Sequence, residues 1–480
     1  MGTRAFVVVL AALLASAGAA AQTAILGGGK ERQPGYGEIE NFTVVGYSDL
    51  DGWDKPTEIR VSADGKLAFT AHNPPPTATQ KMGGSIIDVS DPARPRVLAR
   101  VSGPPTVHSQ YLDVLGNLLA LNQERLRGVE PPPQSWEPGL RLFDISDPAR
   151  PREVGFFRSD DPPGVGVHGF WLHEDPKLGK LAYLATSKQG YLGNILLIVD
   201  INDPSNPREI ARWWYPGQWT AGGEKPGPNW IGEGGLTRGL PNIWVYLHDM
   251  TVYKDRAYLA YRDQGLVILD VSDPRKPTMI GQIKWTPPDE GNAHSVGIVV
   301  PPHGGRPDVV VVTDEINRRC PWGYLRIIDV RYEPNPIQIA TFRLPLNRFC
   351  PPDRPGEAFG IHDVDRLIRG PIVFSAWEYS GFWAIDIADP YRPRAVGHFV
   401  PPPFVRAGLN ASQADDVFVH DNGLVYGTSS EPGGGLWVLR YTPGVKGIVA
   451  WNPDGRSVTF RPAPVAEGPG ALPPAVSGGR

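Results

Sequence analysis

Five of the ten histidines recur at one position of a repeated pattern. They are His108, His168, His248, His294 and His362, and the same slot holds an acid in the two outermost copies, Glu58 and Asp415. Neutral imidazole is a good donor to transition metals, and a nearby carboxylate either ligates or orients the imidazole N–H. Histidines at one register of successive repeats can converge on a common axis. A few ligands with open positions would support Lewis-acid or redox chemistry. The expected ligands are His168, His248, His294 and His362, from consecutive copies, with His108 beside them; the identity of the metal stays open. A second row of polar residues, Asn73, Asn122, Ser187, Arg262, Asp314, Glu378 and Ser429, falls at the end of the following strand. In it Arg262 could clamp a carboxylate or sulfate, with Asp314 and Glu378 orienting a small organic substrate. Two plainer readings stand beside these. A structural histidine copied by duplication would also give a ring, with His248-Asp249 and His362-Asp363 as local ties, and Arg262 could pair with Asp263 or with a neighbouring repeat's acid.

The elements that carry this row follow from the repeat. Near-identical segments run IIDVSDPARPRVLARV, LRLFDISDPARPREVGFF, LLIVDINDPSNPREIARW, VILDVSDPRKPTMIGQI, RIIDVRYEPNPIQIATF and WAIDIADPYRPRAVGHF, with shared aspartates Asp88, Asp144, Asp200, Asp270, Asp329 and Asp386. Asp followed by Pro suits a tight reversal, so each copy reads as a β-hairpin. Two further strand-like runs precede each hairpin, as in DMTVY from Asp249 and AYLAY from Ala257. The unit is a four-stranded antiparallel sheet. Its third strand is apolar on both faces and must be covered on both. A seventh copy is split between Ala414–Tyr441 and the N-terminal segment NFTVVGYS from Asn41. The expectation is an all-β, seven-bladed β-propeller over residues 37–443, closed by pairing the N-terminal strand with the C-terminal blade, which removes the leftover sheet edge.

The IIDVSDP, LLIVDINDP and VILDVSDP segments resemble the LVIVD repeat of bacterial β-propeller proteins. The likeness covers nearly all of the chain after its first residues. It weakens in the fifth copy, where Tyr332-Glu333-Pro334 replaces Ser-Asp-Pro, and in the seventh, which lacks the aspartate. The resemblance implies a propeller and secretion. It implies little about activity, because propellers host unrelated functions.

Residues 1–21 have the make-up of a secretory signal: Arg4, an apolar run from Ala5 to Leu14, then small residues ending at Ala21. The run is too short to span a bilayer, so a periplasmic or secreted protein without a transmembrane segment is expected. In that compartment Cys320 and Cys350, placed in loops on one face, suit a disulfide. With 47 basic and 51 acidic residues the chain is no ordinary polyanion binder, and nucleic acid is not an expected partner. The 56 glycines and 52 prolines exclude a long helical bundle. Residues 22–36 and 444–480 read as flexible, Pro/Gly/Ala-rich ends. His72, His173, His303, His398 and His420, outside the register, read as surface or loop residues. An insertion at 213–244 holds Trp213, Trp214, Tyr215, Trp219, Trp230 and Trp244, too aromatic for a plain linker. Two functions remain from this reading. One is a monomeric metal-dependent enzyme (oxidoreductase, hydrolase or lyase) on a small organic substrate at the channel mouth; the other is a non-catalytic scaffold whose loops take a peptide, glycan or protein.

Overall fold

The computed structural model describes residues 36–53, 55–72, 83–103, 107–125, 137–161, 164–232, 242–286, 291–315, 323–344, 360–402, 413–430, 434–452 and 458–463. The signal segment, Asn73, Cys320 and Cys350 lie outside the described residues. Apart from three short 3-10 turns the described elements are all strands. Among the described residues three sheets are four-stranded, antiparallel and in chain order, including Val167–Asp175, Gly179–Thr186, Ile195–Asp200 and Arg208–Trp213, then Asp249–Tyr253, Arg256–Ala260, Leu266–Asp270 and Thr278–Ile283. Two others have five strands, and one of nine joins Arg394–Val400 through Tyr36–Ser48 to Leu436–Trp451.

Each DP segment builds two linked turns. The repeat aspartate accepts the amide two residues on, as in Ser90 N to Asp88 Oδ1 at 3.0 Å and Ser272 N to Asp270 Oδ1 at 2.8 Å. The second aspartate then opens a reversal closed by Arg94 N to Asp91 O or Lys276 N to Asp273 O, both 2.9 Å. These local bonds compete successfully with continued strand pairing and turn the chain. The third strands are buried on both faces, as their sequence required: Ile195–Asp200 and Leu266–Asp270 expose little but their terminal aspartates.

The apolar core is divided into clusters, each shared by two adjacent sheets. Leu184 and Leu197 of the third sheet pack with Leu140 and Leu142 of the second, while Tyr183 and Ile198 on the opposite face pack with Leu259 and Val267 of the fourth. Another cluster joins Ile59 and Ile87, near the N-terminus, to Tyr426 and Val438, near the C-terminus. The inner strands touch in succession: Pro56–Val61, Leu112–Leu115, Val167–Asp175, Asp249–Tyr253, Ala293–Val299, Ile361–Val364 and Ala414–Val419, the last returning to Pro56–Val61.

The N-terminal strand Tyr36–Ser48 pairs antiparallel with Leu436–Trp451, with Phe42 opposite Tyr441 and Ser48 opposite Leu436. It also bends. The register shifts between Glu40 and Phe42, Asn41 has a left-handed φ of 56°, and Glu38–Glu40 pair with the outer strand Arg394–Val400 of the preceding sheet. Asn41 secures the bulge, its Nδ2 donating to Val396 O at 2.6 Å and its Oδ1 accepting from Gly444 N at 2.7 Å. The expectation of a flexible end from residue 444 is corrected here. Leu436–Trp451 continues through that boundary and hairpins with Val458–Ala463. Val449 is buried and Trp451 packs at 5.0 Å from the Tyr47 ring, so alternating apolar residues outweigh the Gly/Pro composition.

Glycines at the outer-strand bulges fit each sheet against the next. A Cβ on Gly46, Gly155 or Gly281 would collide with the carbonyl oxygen of Pro92, Pro204 or Glu333, each in the DP turn of the following sheet. Gly155→Ala is therefore expected to cost about 1–3 kcal/mol, the scale of an overpacked contact. Urea denaturation checks this, and an unchanged midpoint would mean that the neighbouring turn yields freely.

Candidate functional site

The register that placed the histidines in one row brings four of them side by side. Ring centroids lie 4.3 Å apart for His168–His248, 4.1 Å for His248–His294 and 4.2 Å for His294–His362. Each begins or just precedes an inner strand of successive sheets, where the strands converge. His248 Nδ1 bonds to the backbone carbonyl of His294 at 3.0 Å, and His362 Nδ1 to that of Asp415 at 3.0 Å. His248 and His362 thus tie neighbouring sheets through Nδ1.

Carboxylates meet the remaining Nδ1 atoms. Glu124 bridges two imidazoles, its Oε1 2.9 Å from His168 Nδ1 and its Oε2 3.1 Å from His108 Nδ1. Asp363 Oδ2 lies 2.9 Å from His362 Nδ1, and its Oδ1 lies 3.7 Å from His294 Nδ1. A nitrogen facing an acceptor carries the proton, so a neutral ring has its lone pair on Nε2. The Nε2 atoms of His168 and His248 are 2.6 Å apart, and His294 Nε2 is 3.6 Å from Glu315 Oε2. Donor atoms of His248, His294 and Glu315 all lie within 4.8 Å of one another, as do those of His294, His362 and Asp363.

Charge is graded along this arc. Burial pushes His248 well below the usual imidazole range, helped by Arg262 and the adjoining histidines. Burial and the nearby His362 also lower His294. At His362 burial acts in the same direction, but Asp415 and Asp363 outweigh it and hold the ring well above its ordinary value. Burial would raise Glu124; the pairing with His168 and His108 overcomes this and keeps it low. The centre of the arc is therefore neutral at pH 7, with a cationic imidazole at the His362 end.

Immediately beyond the ring, on the inner strands, lies a buried charge cluster. Arg366 contacts Asp249 and lies 3.2 Å from Asp363 Oδ1. Arg60 contacts Glu58 and lies 3.3 Å from both Asp113 and Asp416. Glu58 therefore turns to Arg60, although its sequence register had grouped it with the histidines. Asp249, Asp363 and Asp416 each directly follow a ring position.

All three residues expected to orient a substrate are buried. Arg262, in a left-handed φ of 42°, donates to Glu315 Oε2 at 2.8 Å and Asn292 Oδ1 at 2.7 Å, so it joins the ring through a neighbouring sheet's acid. Asp314 is corrected: it is wholly buried, its Oδ2 2.6 Å from Arg326 Nε inside its own sheet. Glu378 is corrected too, being buried in the one-turn segment Glu378–Ser380. His72 and His398 are not surface residues. His72 is fully buried 2.5 Å from Ser85 Oγ, and His398 is stacked at 4.8 Å on Trp383. The sequence reading missed Glu124 and Glu315, and named Asp363 only as a local tie to His362. A signal was available for both, since Glu124 and Glu315 fall two and one residues past the aligned polar row at Asn122 and Asp314.

Comparison with known proteins bears on the fold. The LVIVD repeat model matches residues 178–213 and 246–284, within the third and fourth sheets. No curated protein matches the chain. Among solved structures it is similar to the WD40 repeats of RRP9, with TM-score 0.52 and 8% identity, over 83% of this chain and 97% of that one. It is also similar to Raptor of Chaetomium thermophilum, with TM-score 0.51 and 12% identity, over 85% and 30%. A third likeness is to the periplasmic gluconolactonase PpgL of Pseudomonas aeruginosa, with TM-score 0.50 and 10% identity, over 83% and 99%. At these identities the likeness is one of fold alone, and it includes an enzyme as well as WD40 proteins. Taken with the sheets described above, the chain has a β-propeller fold in which residues 178–213 and 246–284 carry the LVIVD repeat.

Proposed function

We propose that the inner arc of histidines binds a transition metal ion at the channel mouth of a seven-bladed propeller closed by its N-terminal strand, and that this is the protein's functional site. The succession of inner strands and the cluster joining Ile59 to Tyr426 support the closed ring. The metal reading rests on one observation. The Nδ1 atoms of His168 and His248 are engaged by Glu124 and a carbonyl, which turns their Nε2 atoms on one another at 2.6 Å. Either an imidazolium at His168 donates to His248 there, or both rings are neutral and their lone pairs face a cation bound beside them; the second arrangement is the one this reading takes.

His248, His294 and Glu315 are the ligands, with His168 and His362 flanking. The set has the chemistry of zinc, iron, copper, nickel or manganese sites. Glu124 and Asp363 orient imidazoles from behind, and Arg262 fixes Glu315 while offering its guanidinium to an anionic group of a substrate. A bound ion would supply Lewis acidity or redox capacity there. The reading is of a secreted or periplasmic, metal-dependent enzyme acting on a small organic molecule. No helix among the described residues is long and apolar enough to cross a membrane.

Elemental analysis of purified protein tests this directly. One equivalent of a transition metal, lost in His248→Ala/His294→Ala while the fold persists, is the expected result. Metal-free protein that gains no stability from added Zn2+, Fe2+, Cu2+, Ni2+ or Mn2+ would leave a shared proton, with His168 as an imidazolium, as the cation in the 2.6 Å contact.

A further inference from the structure

The described part of the tryptophan-rich insertion, residues 213–232, forms a folded platform. Gln218 is fully buried: its Nε2 donates to Leu192 O at 2.5 Å and to Val245 O at 3.2 Å, and its Oε1 accepts from Tyr215 N at 2.9 Å. Glu224 gathers Trp214 Nε1 at 3.1 Å, Gly217 N at 2.7 Å and Trp219 N at 3.1 Å. Gly222 seats directly against the Trp219 indole, where a Cβ would collide with the ring. Yet Trp219 remains 40% exposed. Its ring is nearly parallel to that of Tyr191, 17° apart with centroids at 6.3 Å, and Trp214 closes the group at 5.5 Å.

Beside this platform, with Tyr191 in its wall, is a cavity of about 280 Å³ whose other walls include Asp160, Ser187, Lys188, Gln189 and Asn194. The loop carrying Ser187 to Asn194 bonds to the insertion through Ala221 N to Gly190 O at 3.0 Å and Leu192 N to Gln218 O at 2.8 Å. It also holds the segment leading into His168, since Ser187 Oγ accepts from Gly166 N at 3.0 Å.

We propose that this surface binds a saccharide chain, one sugar ring entering the cavity while its neighbours lie on Trp219 and Tyr191. A pyranose combines an apolar C–H face, which suits a flat aromatic surface, with a dense rim of hydroxyls. The rim needs donors and acceptors of both kinds gathered in one place. Carboxylate, amide, hydroxyl and ammonium groups stand together in the cavity walls, whose volume matches about nine waters at 30 Å³ each, the scale of one sugar ring. Two acids, Asp160 and Asp161, against one lysine, Lys188, favour a neutral or cationic sugar over an anionic one. The platform is held rigid by Gln218 and Glu224, so little ordering is lost on binding. The proposal does not depend on a metal at the histidine arc.

Isothermal titration with cellohexaose, chitohexaose and maltohexaose, on protein as purified and after EDTA treatment, is the test. Binding of at least one hexasaccharide is expected, weakened at least tenfold by Trp219→Ala and by the exposed Gln189→Ala, and equal with and without EDTA. Should Trp219→Ala fail to fold, Gln189→Ala still decides. Absence of binding to all three sugars, binding indifferent to both substitutions, or binding of a proline-rich peptide in their place would overturn the proposal.

Discussion

Replacing Arg366 with methionine is expected to destabilise the protein by about 3–5 kcal/mol, the scale for removing one partner from a buried ionic group. Arg366 is 5% exposed and reaches from just past the inner strand Ile361–Val364 to Asp249 in the inner strand Asp249–Tyr253, while also holding Asp363. Without it two fully buried carboxylates lose their main counter-charge. Burial would raise Asp363, and Arg366 is the first of the groups that overcome it and hold Asp363 well below the carboxylate range. A second effect separates this residue from a merely structural ion pair. Asp363 sits 2.9 Å behind His362 and 3.7 Å behind His294, so at the proposed metal site its release should loosen binding by roughly 10–100-fold, the usual cost of losing a partner behind a ligand. Guanidinium denaturation and metal titration measure the two effects. Adding Asp249→Asn and Asp363→Asn to Arg366→Met should restore much of the stability, because a neutral cluster no longer needs a cation, but should not restore metal affinity. If the single variant loses less than ~1 kcal/mol, the cluster is hydrated and the axis is wetter than its burial indicates.

The strands and their order were legible because the repeat writes them several times over. The DP turns, the doubly apolar third strand and the histidine row are local patterns, visible at fixed spacing. The C-terminal hairpin was hidden because Pro and Gly dominate a composition count there, whereas its pairing depends on Tyr47, Trp437 and Trp451 meeting across the chain ends. The site was half visible. The slot of five histidines identified where to look, but not how the imidazoles direct Nδ1, because that depends on carbonyls and acids brought together only by folding. Glu124 serves His108 of its own sheet and His168 of the next. Asp314 and Glu315 are adjacent in sequence and point to opposite fates, one inside its sheet against Arg326 and one toward His294. Alignment of a polar row cannot distinguish the two, since a one-residue step along a strand end changes the face.

Asp365→Asn is expected to stabilise the protein, and by more as pH rises. Asp365 is 4% exposed, accepts from Val419 N at 3.3 Å, and is pushed up to about 7, chiefly by burial. Its ordinary value in an unfolded chain is about 3.9. A carboxyl raised on folding binds its proton more tightly in the native state, so its penalty is absent below pH ~4, grows between pH ~4 and ~7, and is constant above. The full span is about 4 kcal/mol at 1.36 kcal/mol per unit. Asparagine keeps the acceptor for Val419 N and never ionises. The gap between variant and parent should therefore widen by about 2–3 kcal/mol from pH 5 to pH 8 in urea denaturation, with the variant the more stable at pH 8. The comparison must be a difference, because other groups titrate in the same range with both signs. Asp416, also raised to about 7 by burial and by Asp363, adds a loss on raising pH. His248 and His294, lowered by burial, add a gain as pH rises through the unfolded imidazole value. Subtracting parent from variant at each pH cancels these groups, which both proteins share. A gap that stays constant from pH 5 to pH 8 would mean that Asp365 is ionised throughout. The arginines near it, Arg369 and Arg60, would then be offsetting its burial.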